Sequence, residues 1–136
     1  MIDIDYFKKV NDIHGHLDGN NCIQTVSSVA NDSVGPCGAV FRYGSEEILV
    51  LLPDHGGEQA ARLASRIREA VQQLATPPPS SPYHVVTISA GIATAAVSEV
   101  SLPQLLERAD DVLYQTKRSG RNTLRKWNSS PIKEEN

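Results

Sequence analysis

The sequence has few cysteines, no long apolar run and no excess of positive charge. Its two cysteines, Cys22 and Cys37, lack the spacing of metal ligands, and we expect them to be reduced thiols of a cytoplasmic protein. No apolar run approaches the roughly 18 residues of a transmembrane helix, and the acidic N-terminus is unlike a signal peptide, so no membrane contact is predicted. The net charge of -3 argues against a general nucleic-acid-binding protein.

The rest of the composition is that of a folded domain. Apolar residues make up 40% of the 136 residues and charged residues 21%, which provides enough apolar material for a packed core. The length suits one domain and leaves no room for two. We expect this domain to span residues 1–127, and the acidic and polar residues 128–136 to form a disordered tail.

The spacing of apolar residues predicts an α+β fold with the element order β-α-α-β-β-α-β-α-β. The proline-rich segment 76–82 is predicted to be a loop, and Ser101 to Gln104 has the pattern of a capping box. Two consecutive strands break strict βα alternation, which indicates a mixed central sheet flanked by helices and argues against a phosphoacceptor receiver domain. The predicted strands are residues 1–4, 39–43, 48–52, 85–92 and 123–127, and the predicted helices are 6–13, 22–31, 60–74 and 101–119.

Two acidic residues lie at the end of the first predicted strand. Residues two apart in a strand face the same side, so the carboxylates of Asp3 and Asp5 can point to one place. A buried unpaired charge is costly, and Mg²⁺, which prefers one or two carboxylates plus phosphate oxygens, would remove that cost. Alternatively the strand ends at Asp3 and both acids are solvated. The strand alone leaves both interpretations open.

A second acidic pair lies at the predicted hairpin turn, in the segment Arg42-Tyr43-Gly44-Ser45-Glu46-Glu47-Ile48. Two adjacent acids at a hairpin tip ordinarily belong to a solvated turn, whereas Gly44 would allow a positive φ or the close approach of a ligand. If this hairpin lies beside the first strand, Glu46 and Asp3 could share a cation.

Cationic side chains follow the first strand and close the last helix. Lys8 and Lys9 come shortly after the strand, and the basic segment 117–121 ends the helix, where cations also favour the helix dipole. Acids that hold a metal, together with separated cations, form a triphosphate site. No further ligands at zinc spacing follow His14 and His16, for which loop or capping roles are expected.

Taken in order, these motifs resemble the GGDEF domain of diguanylate cyclases over nearly the whole chain. The resemblance implies the nucleotide-cyclase palm-like fold of that family. It also implies a bacterial signalling enzyme that condenses two GTP molecules into cyclic di-GMP and releases pyrophosphate. The matching segments are Asp3 to Asp12 (DIDYFKKVND), Gly15 to Asn20 (GHLDGN), Arg42 to Ile48 (RYGSEEI), Val86 to Gly91 (VTISAG), Arg108 to Asp110 (RAD) and Lys117 to Asn122 (KRSGRN).

The resemblance also implies a reaction and a set of site residues. Each domain binds one GTP, two domains face each other in a transient homodimer, and the 3′-hydroxyl of one nucleotide attacks the α-phosphorus of the other. Two Mg²⁺ ions per GTP, or Mn²⁺ in their place, screen the phosphate charge and lower the pKa of the attacking hydroxyl. By position, the resemblance gives Asp3, the Ile4 carbonyl and Glu46 as metal ligands, and Glu46 and Glu47 as catalytic residues. The phosphate-binding groups would be the backbone N–H groups of Tyr6 and Phe7 with Lys8, Lys117 and Arg121. The guanine-reading residues would be Asn11 and Asn20, and the turn residues beside the nucleotide Gly44 and Ser45.

The chain departs from the family's pattern at positions that bear on activity. Ser45 places a hydroxymethyl group where the family has bare backbone beside the nucleotide, and Ile48 replaces a phenylalanine. Asn20 replaces an aspartate that accepts from both N1–H and the amino group of guanine, and one lost bond costs about 1–3 kcal/mol, so weaker guanine selectivity is expected. Gly35 and Gly38 occupy the positions of the family's inhibitory Arg-x-x-Asp motif, so product inhibition at that site is not expected.

The N-terminus is the largest departure, because the family has a helix and a further stretch before the first strand. We therefore expect a central strand that is truncated at its start, and an upstream sensory region absent from this chain. These departures favour an alternative function, a non-catalytic GGDEF module that acts by binding GTP or another protein.

Overall fold

The computed structural model describes residues 1–74 and 86–128, without the side chains of Ile13, His14, His16 and Asp18. The predictions for the loop 76–82, for the histidine side chains and for the tail after Asn128 therefore lie outside the described residues. The helices and strands follow the predicted order. They are β1 (Ile2–Ile4), α1 (Phe7–His14), α2 (His16–Val34), β2 (Ala39–Arg42), β3 (Glu47–Leu51), α3 (Gly57–Gln73), β4 (Ile88–Ile92), α4 (Leu102–Arg118) and β5 (Leu124–Lys126).

Several predicted boundaries are wrong, most clearly those of α2 and β4, and α3 begins at Gly57 rather than at residue 60. α2 is longer than predicted at both ends, and it continues to Val34 because that side chain is buried and extends the helix's apolar face. β4 begins at Ile88 rather than at residue 85, and the described residues Val86 and Thr87 lie before it. It begins there because its partner β1 ends at Ile4, which pairs with Ile88.

The five strands form one mixed sheet in the order β2-β3-β1-β4-β5. β1 is antiparallel to both of its neighbours, β2 and β3 form an antiparallel hairpin, and only β4 and β5 are parallel. Ile2 of β1 pairs with Ile48 on one side and with Ala90 on the other, and all three are buried. The mixed sheet and the central position of the first strand are therefore as predicted.

The two faces of the sheet are covered by different helices. Ile2 and Ile4 belong to the main core, to which α2 and α3 contribute Ile23, Val26, Ala30, Ala64, Ile67 and Val71. Successive side chains of a strand alternate between faces, so Asp3 points to the opposite face. α4 covers that face and supplies the smaller cluster around Ala109 and Leu113. The fold thus directs the only acid within β1 towards α4.

α4 lies very close to β4. A Cβ at Gly91 would come within 2.3 Å of the Ala109 carbonyl and 2.5 Å of the Leu113 nitrogen, so this position has room only for glycine. The predicted capping box begins the helix: Gln104 N donates to Ser101 Oγ at 3.3 Å, and Ser101 N donates to Gln104 Oε1 at 3.0 Å. These contacts set the position of α4 and of the cations at its end.

Gly91→Ala should destabilise the domain by about 1–3 kcal/mol, because the new methyl group must push α4 away from β4. Denaturant unfolding measures this change. Gly57→Ala is the matched control, since its Cβ would meet Thr94 Oγ1 at an ordinary 3.5 Å. That variant should be unchanged or more stable by up to about 1 kcal/mol. Equal stability of Gly91→Ala and the parent chain would contradict the close approach.

Candidate active site

The hairpin formed by β2 and β3, which carries Glu46 and Glu47, lies directly beside β1. Asp3 pairs with Glu47 across the antiparallel β1–β3 ladder, and Ile4 N donates to the Glu46 carbonyl at 3.2 Å. The condition under which Asp3 and Glu46 could share a cation, that the hairpin lies beside the first strand, is therefore met. It places the Ile4 main chain, the Asp3 side chain and both glutamates at one end of the central strand.

Asp3 is a buried carboxylate with a cationic partner. Lys117 Nζ, from the last turn of α4, lies 2.5 Å from Asp3 Oδ2. Burial is the largest influence on this acid and raises the pKa of Asp3 to about 6; the hydrogen bond and charge of Lys117 lower it, and the charges of Glu46 and Glu47 raise it. Lys117, Glu46 and Glu47 therefore all lie close enough to Asp3 to influence its ionisation.

Asp5 has a different environment from Asp3. Its carboxylate accepts hydrogen bonds from Thr87 Oγ1 (2.7 Å), Ser89 Oγ (2.6 Å) and Asn122 N (3.0 Å), and the residue is buried. The interpretation in which both acids are solvated is therefore wrong for Asp5, whose carboxylate is engaged by three donors of this chain. The sequence analysis missed its three donors. The available signal was a pair of hydroxyl residues two apart in the β4 segment.

The turn between β2 and β3 is ordered by Arg42. Its Nε donates to the Gly44 carbonyl and its Nη2 to the Ser45 carbonyl, both at 3.3 Å. Gly44 does not have a positive φ, so of its two expected uses only the close approach of a ligand remains. Ser45 Oγ donates to Glu46 Oε2 at 3.4 Å, which shows that the residue departing from the family pattern contacts a predicted metal ligand.

The residues just after β1 meet the segment that follows α4. Tyr6, which precedes α1, has a left-handed backbone with φ 56°, and the Arg121 guanidinium lies over its ring at 4.6 Å from the centroid. Phe7 is buried and begins α1, while Lys8 is exposed on its first turn. Lys117 and Arg121, far from Tyr6 in sequence, are therefore brought to the same end of β1.

The Asn11 side chain lies against Gly19, the residue before Asn20, where α1 and α2 approach each other closely. A Cβ at Gly19 would lie 1.8 Å from Asn11 Oδ1 and 3.3 Å from Phe7 Cζ, so only glycine fits next to Asn20. Asn11 Oδ1 is buried, and no donor in the described part of the chain reaches it. The sequence analysis missed this packing role of Gly19, because it began the second helix at residue 22, whereas α2 begins at His16.

The donor set suits a metal that arrives with phosphate. Within residues 1–74 and 86–128, no group of three Asp, Glu, His or Cys side chains is placed to hold a metal unaided. Mg²⁺ prefers one or two carboxylates plus phosphate oxygens. Asp3 and Glu46 can supply the carboxylates, beside the Ile4 carbonyl, and a nucleotide would supply the phosphate oxygens. Over the same residues, no helix is long and apolar enough to cross a membrane.

Comparisons of sequence identify a family. The family model described as "Diguanylate cyclase, GGDEF domain" matches residues 1–123. The probable diguanylate cyclase DgcT of Escherichia coli K12 is 40% identical over 127 residues, covering 91% of this chain and 28% of that protein. The response regulator PleD of Caulobacter vibrioides is 37% identical over 132 residues, covering 91% and 28%. The chain thus spans less than a third of the length of these two relatives.

Comparisons of structure agree with the predicted fold. The GGDEF domain of DgcB from Caulobacter crescentus, in complex with c-di-GMP, superposes with a TM-score of 0.84 at 34% identity, covering 94% of this chain and 73% of that one. The active GGEEF domain of a diguanylate cyclase from Vibrio cholerae gives a TM-score of 0.85 at 27% identity, covering 95% and 81%. The palm-like mixed sheet is therefore confirmed.

Lys117→Met should raise the pKa of Asp3 further above about 6, because the hydrogen bond and charge of Lys117 both lower it. Below about pH 6 Asp3 is protonated in both folded proteins, so the stability lost in this variant relative to the parent chain should be small there and should grow as the pH rises above about 6. Carboxyl-carbon NMR titration measures the pKa, and denaturant unfolding the stability. Arg118→Met, which removes a neighbouring cation over the Tyr114 ring, is the control and should leave the titration midpoint of Asp3 unchanged. An Asp3 midpoint that Lys117→Met leaves unmoved would contradict the ion pair.

Proposed function

The chain belongs to the diguanylate cyclase GGDEF family, and we propose that it condenses two GTP molecules into cyclic di-GMP with release of pyrophosphate. The observation that carries this proposal is the convergence of acids and cations at one end of β1. Asp3 lies beside the turn that bears Glu46 and Glu47, and Lys117 and Arg121 reach the same end from α4 and beyond. Acids for a metal and cations for phosphate are what a triphosphate site requires.

Asp3, the Ile4 carbonyl and Glu46 would hold the divalent metal, for which we propose two Mg²⁺ ions per GTP, with Mn²⁺ as an alternative. Bound there, the metal would screen the phosphate charge and lower the pKa of the attacking hydroxyl. In the metal-free protein the charge of Lys117 balances that of Asp3. Movement of the Lys117 ammonium from Asp3 to a phosphate oxygen would open Asp3 to the metal while keeping every charge paired.

The start of α1 is the proposed cradle for the β- and γ-phosphates. Backbone N–H groups at a helix N-terminus favour anions, and here Tyr6 and Phe7 carry those groups directly after β1. Lys8 is exposed on the first turn of the same helix. Together with Lys117 and Arg121, it would supply the positive charge that a triphosphate needs.

Glu47 is the proposed proton acceptor. In the reaction the 3′-oxygen of one nucleotide forms a bond to the α-phosphorus of the other, the bond from that phosphorus to pyrophosphate breaks, and the hydroxyl proton leaves. As the cross-strand neighbour of Asp3, Glu47 lies at the end of β1 where we propose that the metal binds, and there it would accept that proton. One domain holds one nucleotide, so the second comes from a second copy of the chain in a transient homodimer.

Asn11 and Asn20 are the proposed guanine-reading residues. The buried Oδ1 of Asn11, which no described donor reaches, is an acceptor suited to a base N–H group. Gly19 lets α1 and α2 approach closely beside Asn11, and Asn20, the next residue of α2, would contact the same base. The turn residues Gly44 and Ser45 would lie beside the nucleotide, where Gly44 leaves its backbone bare.

A second function, nucleotide binding without turnover, is favoured by one observation. The Ser45 hydroxyl donates to Glu46 Oε2, so the added side chain engages a carboxylate that the metal would need. A chain of this kind would act by holding GTP or by contacting another protein. Three further points remain predictions: an upstream sensory region, a cytoplasmic location and the domain limits 1–127.

Incubation of the full chain with GTP and Mg²⁺ at high protein concentration should yield cyclic di-GMP, and Glu47→Gln should lower kcat by at least about 100-fold without abolishing GTP binding. Product chromatography and calorimetry provide the two measurements. Glu58→Gln, in the first turn of α3, is a matched control with unchanged turnover expected. GTP binding without product would favour the second function, and absence of both would rule out cyclic di-GMP synthesis and GTP binding together.

Asn20→Asp should strengthen selectivity for GTP over ATP, because a carboxylate accepts from both guanine donors and an amide accepts from one. The gain expected from one restored hydrogen bond is about 1–3 kcal/mol. Competition calorimetry with the two nucleotides measures it. Asn21→Asp, at the next position of α2, adds the same charge as a control. Equal gains from both variants would show a charge effect without base recognition.

A further inference from the structure

Asp5 has no role in the proposed reaction, yet its carboxylate accepts three hydrogen bonds from distant parts of the chain. Its Oδ1 accepts from Ser89 Oγ at 2.6 Å, and its Oδ2 accepts from Thr87 Oγ1 at 2.7 Å and from Asn122 N at 3.0 Å. The two hydroxyls come from the β4 segment and orient the carboxylate. The Asn122 N–H comes from the segment after α4, so Asp5 ties the end of β1 to that segment.

The tie reaches Arg121 through the backbone. Asp5 is followed in the chain by Tyr6, and Asn122 is preceded by Arg121. The Arg121 guanidinium lies over the Tyr6 ring at 4.6 Å. The chain and the contacts therefore form a closed circuit: Asp5 to Tyr6, Tyr6 ring to Arg121, Arg121 to Asn122, and Asn122 N–H back to Asp5.

The backbone on both sides of this circuit is held in an unfavourable conformation. Tyr6, Arg121 and Asn122 have φ values of 56°, 63° and 45°, in the left-handed region that residues with a Cβ other than Asn and Asp rarely adopt. Such conformations persist where surrounding contacts hold them. Asp5 makes the contact that joins the two strained segments, and the Asn122 side chain adds contacts to Arg68 and Gln72 of α3 at 3.3 and 3.4 Å.

We propose that Asp5 is a positioning residue that holds Arg121 over Tyr6, at the end of β1 where the triphosphate would bind. This inference rests on the proposed function for its consequence, and on the Asp5 hydrogen bonds and the Tyr6–Arg121 contact for its geometry. A guanidinium held in place before binding loses less conformational entropy when it meets an anion. Asp5 acts through Arg121 and touches neither substrate nor metal.

A double-mutant cycle tests the coupling of Asp5 to Arg121. The probe is a GTP analogue with a methylene group between the α- and β-phosphorus atoms, titrated with Mg²⁺ by calorimetry. Asp5→Ala and Arg121→Met should each weaken binding by about 10-fold or more. In the Arg121→Met background, Asp5→Ala should add less than about 2-fold, because the residue it positions is already gone. Independent effects that multiply would overturn the proposal.

A second readout does not depend on nucleotide binding. The NMR shift of the Arg121 Nε–H reports the Tyr6 ring current; it should move towards the free-arginine value in Asp5→Ala, as it does in a Tyr6→Leu reference. Val26→Ala, a buried change in α2, is the control for general destabilisation and should leave the shift in place. If the parent chain fails to bind the analogue, the proposed function fails while this shift still tests the positioning. A shift unmoved by Asp5→Ala would contradict it.

Asp5→Asn carries the test if Asp5→Ala does not fold. The amide oxygen can still accept from Asn122 N–H, and the Ser89 hydroxyl can accept from the amide NH₂. The NMR shift of Arg121 Nε–H should therefore stay at its parent value. The affinity for the analogue should stay within about 3-fold of that of the parent chain. Loss of Mn²⁺ binding to the analogue complex in this variant would overturn the proposal, because it would make Asp5 a metal ligand.

Discussion

The central position of β1 is the constraint on which the rest of the structure depends. β3 and β4 pair with this strand from both sides, so its acidic side chain is carried into the interior against α4. A buried carboxylate is costly unless it is paired, and Lys117 supplies the pair. The burial that raises the pKa of Asp3 to about 6 is the same burial that makes the site favourable for a cation. The acids, cations and helix ends of the candidate site are all arranged around this strand.

Much of this arrangement could be predicted from the sequence, because it depends on local patterns. The order of elements follows from apolar spacing, the start of α4 from the Ser101–Gln104 box, and the hairpin from a short polar turn between two apolar runs. The pairing of Asp3 with the Glu46–Glu47 segment followed as a conditional prediction. The resemblance to one family then assigned expected roles to residues that the spacing alone left open.

The remainder could not be predicted, because it depends on contacts between residues that are distant in the chain. Asp3 and Asp5 look alike in sequence, yet one faces a lysine and the other faces two hydroxyls and a backbone N–H. Gly19 and Gly91 are required by the close approach of neighbouring elements, which no local pattern reveals. β4 is shorter than its apolar run because its partner β1 ends first. In each case the contact that determines the outcome comes from another helix or strand.

The most direct test of the metal-dependent triphosphate site is a crystal structure of the full chain with Mn²⁺ and the methylene-bridged GTP analogue. Anomalous scattering locates the metal, and the density locates the Lys117 ammonium. We predict Mn²⁺ beside Asp3 and Glu46, with Lys117 moved from Asp3 onto a phosphate oxygen and Arg121 on the same triphosphate. A bound nucleotide with Lys117 still paired to Asp3, and with Mn²⁺ elsewhere, would contradict the central claim.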